Sequence, residues 1–192
     1  MSTGALPSTS PLWLAMYCYN KFRNEPVLFG QERLGVNLSP FITLKFETLY
    51  SGAEKEKEHL TRVSTPSFER ERTDPRIRNK VMSFMRSTGL NEIPQILNVL
   101  KGDMSIVGPR PLYKEFFEKA GVLFPEIMRE WRKTALTIKP GLVGVSPLTT
   151  RRLPAEEFDK IALEDIQYFE EATFWKDLII ISQAIVSVAR GK

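Results

Sequence analysis

Between Thr88 and Pro111 the chain reads TGLNEIPQILNVLKGDMSIVGPRP, and no other run constrains the fold as much. Asn91 stands ahead of an apolar series, Ile93, Ile96, Leu97 and Leu100, at helical spacing. Its side chain is suited to cap the first turn of a helix. Glu92 then meets the favourable end of the helix dipole. Pro94 falls in the first turn, where its missing N–H costs little. Lys101 and Gly102 close the helix with a cation and a glycine stop. A basic turn follows, Gly108-Pro109-Arg110-Pro111. Helix N-termini attract phosphate, and an arginine on a stiff backbone grips it. A site for a phosphorylated substrate is therefore the first expectation. Capping alone also accounts for Asn91, Glu92, Pro94 and Gly102, and the proline-flanked turn is equally a stiff loop. Asp103 is placed either to pair with an arginine or to bind a metal.

Composition narrows the function classes. The 192 residues are long enough for one domain with a real core, and 42% hydrophobic against 26% charged residues is a globular balance. A net charge of +4 suits an anionic substrate or membrane surface. Basic residues are dispersed, so nucleic acid is not an expected partner. The lone Cys18 excludes an intrachain disulfide framework and fits a reducing compartment. The lone His59 excludes multi-histidine metal sites and lies in a charged, solvated run. No stretch is apolar for long enough to form an ordinary transmembrane helix, and no signal peptide opens the chain.

The pattern along the chain predicts an α/β or α+β fold. A small mixed sheet is expected from residues 27–46 and later short strands, with amphipathic helices around it. A short helix from Pro11 carries Trp13, Met16, Tyr17, Tyr19 and Phe22, with Lys21 and Arg23 at its end. That pattern fits either a membrane interface or a core-packing helix. Val27 to Phe29 reads as a short strand and Gln31 to Asn37 as a polar turn. Phe41 to Phe46 alternates and is the clearest strand. Ser51 to Arg72 is a charged, solvated stretch. Ile77, Val81, Phe84 and Met85 have helical spacing. Leu112 to Arg132 reads as helical with a break near Pro125, Lys139-Pro140-Gly141 as a turn, and Ala155 to Phe169 and Phe174 to Ala189 as two closing helices.

Several motifs resemble the bacterial sugar transferases, monotopic phosphoglycosyl transferases that start glycan assembly on a polyprenyl phosphate. Pro26 to Gly35 resembles the family's PVxFxQxRxG. Pro40-Phe41 with Lys45-Phe46 and Thr48 resembles its PFxxxKFRTM. Asp74-Pro75-Arg76-Ile77 and Arg86 precede the central LNEIPQILNVLKGDMSIVGPRP run in the family's order. Lys139 to Gly144 resembles KPGxTG, and Phe174 to Leu178 resembles SFxxDL. The resemblance covers roughly residues 10–188.

The resemblance implies a reaction. A phosphosugar would pass from a nucleotide-diphosphate sugar, expected to be a UDP-sugar, to polyprenyl phosphate. This would be the first membrane step of exopolysaccharide, capsule or glycoconjugate assembly. In the family an Asp-Glu pair opens the central helix, the Asp attacks the β-phosphate, and Mg2+ is held largely by the Glu. Carried over, Asn91 and Glu92 are the catalytic pair, with Glu92 as metal ligand and Asp103 as a second candidate. Arg110 is the expected phosphate clamp. Lys45, Arg76, Arg86 and Lys139 are further substrate contacts, for each of which an ion-pair role is equally open. Arg151 or Arg152, within Val145 to Leu153, would contact the sugar. Residues 1–24 would be a membrane-interface helix and residues 25–192 the catalytic domain. The protein would sit at the cytoplasmic face of the bacterial inner membrane, peripheral or monotopic, with homo-oligomerisation left open.

Three positions depart from the family pattern. Asn91 replaces the nucleophilic Asp, as in a branch of the family with Asn-Glu at this dyad. Either Glu92 attacks, or Glu92 serves direct attack by the acceptor phosphate, or the chain is an inactive member that binds nucleotide sugar or a partner transferase. Glu47 stands where the family has the arginine of KFRTM, which reverses a charge near the strand end. Ser10-Pro11 aligns with the break of the family's re-entrant helix, so the anchor reads as curtailed.

Overall fold

A computed structural model of the chain describes residues 5–50, 76–77, 79–135, 137–145 and 157–189. His59, Arg151, Arg152 and the whole charged stretch from Ser51 to Arg72 lie outside them. The architecture is mixed α/β, with the described strands in two separate pairs. Helix α1 spans Ala5–Phe22 and leads into β1, Leu28–Leu34. A short 3-10 turn, Val36–Leu38, returns the chain as β2, Pro40–Phe46. Helix α2, Lys80–Thr88, is followed by a 3-10 turn over Leu90–Gln95 and by α3, Ile96–Lys101. Strand β3, Ser105–Gly108, leads to α4, Lys114–Leu123, and α5, Pro125–Ala135. Strand β4, Gly141–Gly144, precedes α6, Phe158–Glu171, and α7, Phe174–Ala189.

β1 and β2 pair antiparallel from Leu28↔Phe46 to Leu34↔Pro40. The expected polar turn from Gln31 is therefore strand as far as Leu34. Across the pair the Thr43 hydroxyl donates to the Gln31 carbonyl at 2.9 Å, and Arg33 is buried. The reversal is confined to Gly35–Ser39, where Asn37 and Leu38 adopt φ of 55° and 58°.

Helix α1 is longer than its sequence suggests, passing Pro7 in its first turn and Pro11 further in. Its inner side, with Trp13, Met16 and Tyr19, packs against Phe46, Met82 and Met85. Trp13 meets Phe46 edge to face at 5.0 Å. Leu14, Tyr17 and Phe22 face outward. Helix α2 begins at Lys80, capped by the Asn79 side chain accepting from the Met82 N–H, and it buries Met82, Met85 and Thr88. Val81 and Phe84 point out, and Ile77 bridges Leu49 ahead of the helix. A second core joins Leu112, Phe117, Trp131 and Phe158. The break at Pro125 and α7 stand where the pattern placed them; α6 runs on to Glu171, and the expected start of that helix at Ala155 lies outside the described residues.

Two contacts join segments distant in the sequence. Asn98, 1% exposed, accepts from the Leu44 N–H at 3.1 Å and donates to the Ile42 carbonyl at 2.7 Å. Its amide thus bonds β2 as a neighbouring strand would. The second contact is made by glycine. β3 and β4 run parallel, and Gly141, expected in a turn, opens β4 opposite Ser105 while its backbone also lies against that of Gly108. A Cβ on Gly141 would stand 2.1 Å from the Gly108 nitrogen.

Gly141→Ala is expected to destabilise the fold by about 2 kcal/mol or more, since backbone must move to admit the methyl. Asn98→Ala strands two backbone groups and should cost about 2–4 kcal/mol. Chemical denaturation of both variants checks these values. An effect below about 0.5 kcal/mol in either would contradict the contact assigned to it.

Candidate active site

The faces of β1 and β2, the 3-10 turn before α3 and the turn after β3 converge on one open cleft. Arg33, Thr43, Lys45, Glu92, Gln95 and Arg110 line it, with Gly141, Leu142 and Gly144 of β4. Strand alternation explains part of this set. Gln31 and Arg33 on β1 share a face, as do Thr43 and Lys45 on β2, and the register puts Gln31 opposite Thr43.

Glu92 is the focus. Its Oε1 lies 3.1 Å from Lys45 Nζ and 3.8 Å from Arg110 Nη2. The Lys45 and Glu92 side chains are only 14% and 19% exposed. This pair is shielded well beyond an ordinary surface ion pair, so breaking it has a real cost. Burial lowers the pKa of Lys45 below its usual 10.5, while Glu92 raises it and Arg33 opposes it further.

The local backbone differs from expectation at Asn91. Gly89, at φ 79°, starts the segment, and the Glu92 N–H bonds the Gly89 carbonyl at 2.9 Å. The turn therefore begins before Asn91, which lies buried within it rather than capping it. Pro94 and Gly89 favour this tight turn over a straight α-helical start. The glycine stop is as expected: Gly102 takes φ 89° and donates to the last carbonyls of α3.

The proline-flanked turn is held from both sides. The Gly141 N–H donates to the Pro109 carbonyl at 2.8 Å, and the Leu34 N–H donates to the Leu112 carbonyl at 2.9 Å. Arg33 Nη1 donates to the Pro111 carbonyl at 2.7 Å. Arg110 thus projects from a backbone fixed at three carbonyls. Arg33 itself lies over the Tyr113 ring, 3.2 Å from its centroid. Its Nη2 and the Tyr113 hydroxyl both donate to Gln31 Oε1, each at 3.1 Å. Burial lowers the Arg33 pKa to about 10, so it remains a cation at neutral pH.

Of the residues singled out from the sequence, Glu92, Lys45 and Arg110 meet in the cleft. Asn91 lies one residue from it. Asp103 follows α3 and is held by Asn98, whose carbonyl accepts its N–H at 3.0 Å; it does not line the cleft. Arg86 donates to Thr48 at 3.3 Å, Arg76 precedes the Leu49–Ile77 bridge, and Lys139 is exposed before β4. Glu47 accepts from the Leu49 N–H at 2.8 Å and also stands outside the lining. Sequence reasoning assigned no role to Arg33, Gln31, Tyr113 or Asn98. Alternation within β1 carried a signal for the first two.

The bacterial sugar transferase family model matches residues 1–191. The chain belongs to that family. It is 36% identical over 169 residues to galactosyl transferase CpsE of Streptococcus agalactiae, covering 86% of this chain and 35% of that protein. It is 30% identical over 197 residues to the exopolysaccharide production protein ExoY of Rhizobium meliloti, covering 98% of this chain and 81% of the relative. It is also 30% identical over 167 residues to the UDP-glucose:undecaprenyl-phosphate glucose-1-phosphate transferase of Caulobacter vibrioides, covering 85% of this chain and 57% of that protein. The chain thus spans about a third of the first relative and four fifths of the second.

The folded pKa of Lys45 lies below the unfolded 10.5. Between the two values the unfolded chain binds the extra proton, so stability rises with pH across that window. Glu92→Gln removes an influence that raises the Lys45 pKa and should move it lower still. An NMR titration of the Lys45 side chain, with and without the substitution, reads both values. An upward or absent shift in the variant would refute the pairing.

Proposed function

We propose that this chain transfers a sugar phosphate from a UDP-sugar to undecaprenyl phosphate, at the cytoplasmic face of the bacterial inner membrane. The observation that carries the reading is the cleft in which Lys45, Arg110 and Arg33 gather around Glu92. Such a cluster suits a diphosphate, whose charge grows on the leaving phosphate as the bond breaks. The similarity to the Caulobacter UDP-glucose:undecaprenyl-phosphate glucose-1-phosphate transferase supports the acceptor and the sugar-phosphate donor.

In the reaction an oxygen–phosphorus bond forms at the β-phosphorus and the bond to the nucleoside monophosphate breaks. The amide of Asn91 is a poor nucleophile. The attacking oxygen belongs either to Glu92, through an acyl phosphate that the acceptor then cleaves, or to the acceptor phosphate directly. Arg110, on its fixed turn, orients the diphosphate, and Lys45 stands ready to exchange Glu92 for a phosphate oxygen.

Mg2+ fits the donor set. Among the described residues no cluster of three or more His, Cys, Asp or Glu could cage an ion. Glu92 is the one carboxylate among the residues lining the cleft. A single carboxylate sharing the ion with substrate phosphates is a usual magnesium arrangement. Glu92 and the diphosphate oxygens would hold it, and its charge would screen the diphosphate.

The membrane part of the reading rests on exposed apolar faces. Among the described residues no helix is long and apolar enough to cross a membrane. Yet α7 exposes Phe174, Trp175, Ile179 and Ile185, and α1 exposes Leu14, Tyr17 and Phe22. Apolar and aromatic faces of this kind suit a bilayer surface.

The test is nucleoside monophosphate release from a panel of UDP-sugars with undecaprenyl phosphate and Mg2+. The chain should be active with its Asn91, and Asn91→Asp should retain activity. Glu92→Gln should lose about 100-fold or more. Release only after Asn91→Asp would reassign the natural chain as an inactive binder, and near-normal turnover in Glu92→Gln would remove Glu92 from the chemistry.

A further inference from the structure

Glu92 is the cleft carboxylate that a divalent cation would use, and in the free protein it is already engaged. Its Oε1 faces Lys45 at 3.1 Å and Arg110 at 3.8 Å, with buried Arg33 on the same cleft wall. A divalent ion arriving alone would meet three basic side chains and one carboxylate already shared between two of them. At these short separations and low exposure, that repulsion is weakly screened. A diphosphate meets the opposite field. It satisfies Lys45 and Arg110 and thereby releases Glu92.

From this geometry we propose that the Lys45–Glu92–Arg110 contact is a latch that makes metal binding depend on the nucleotide. The free cleft excludes a divalent cation. The diphosphate of the nucleotide sugar takes over Lys45 and Arg110, and the liberated Glu92 then shares the ion with the phosphate oxygens. The proposal rests on the reading of the cleft as a nucleotide-sugar site and adds an order to it. By linkage the dependence is reciprocal, so the ion must tighten nucleotide binding by the same factor. A latch of this kind also withholds the catalytic carboxylate from the metal until donor is present, which limits futile occupancy of the cleft.

The experiment uses the whole chain, with Mn2+ and UDP as probes. Mn2+ binding is followed by its electron paramagnetic resonance signal, and UDP binding by calorimetry. The protein alone should leave millimolar Mn2+ free in solution. UDP should bind without metal, and Mn2+ should tighten it about tenfold or more. Glu92→Gln separates the latch from a merely structural contact. It should bind UDP without metal at least as tightly as the natural chain, because Lys45 and Arg110 are released, and should show no Mn2+ enhancement. Mn2+ binding to the nucleotide-free protein as tightly as to the UDP complex would overturn the latch while leaving the nucleotide site intact. Weaker metal-free UDP binding in Glu92→Gln, with circular dichroism unchanged, would also overturn it. No UDP binding under either condition would overturn the nucleotide-site reading together with the latch.

Discussion

The placement of the whole site depends on the side chain of Asn98. β2 has β1 on one side, and on its other side the Asn98 amide supplies both an acceptor and a donor to the strand backbone. The same residue's carbonyl accepts from the N–H groups of Asp103 and Met104, closing the end of α3. One buried residue therefore fixes the angle between the strand that carries Lys45 and the helical segment that carries Glu92. Without that bond the two charges would sit on elements joined chiefly by apolar packing, which is tolerant of sliding in a way that hydrogen-bond geometry is not.

Arg110 is fixed by a different device. Its turn is bounded by prolines and flanked by strands that approach backbone to backbone at Gly108 and Gly141. Close approach matters because the carbonyls of Pro109, Pro111 and Leu112 then reach donors on Gly141, Arg33 and Leu34. Arg33 is the costly member: a buried guanidinium with a lowered pKa. The Tyr113 ring and Gln31 offset that cost and keep the cation pointed at the turn. Glycine, arginine and tyrosine thus act on one loop from three directions.

The sequence made the helical outline legible, because amphipathic spacing and punctuation are local. Gly102, Pro125 and the last helix fell where pattern placed them. It made β2 legible by alternation, but β1 only in part. The polar residues Gln31, Glu32 and Arg33 look like a turn until the strand that partners them is known. Asn91 looked like a cap because Asn-Glu before an apolar run is a capping pattern. Its actual place depends on Gly89, whose left-handed conformation begins the turn earlier. Charge identity was readable and charge company was not. Glu92, Lys45 and Arg110 were each visible as candidates, yet their meeting required three chain segments that only the fold brings together.

The buried Arg33 and the largely shielded Lys45 are not interchangeable, and their difference bears on chemistry. Arg33 remains charged at neutral pH, is stacked on a ring and is bound to a backbone carbonyl, so its field is constant. Lys45 holds its proton less firmly because burial works against it, and Glu92 partly restores it. In the proposed reading, phosphate oxygens that replaced the carboxylate would take over that restoring role with more negative charge. The ammonium would then be held more strongly as charge accumulated on the diphosphate. Arginine at this position would bring a rigid fork instead of a compact point charge. A lysine here therefore offers a compact point charge whose hold on its proton depends on the anion beside it, while the neighbouring arginines supply a background that does not change.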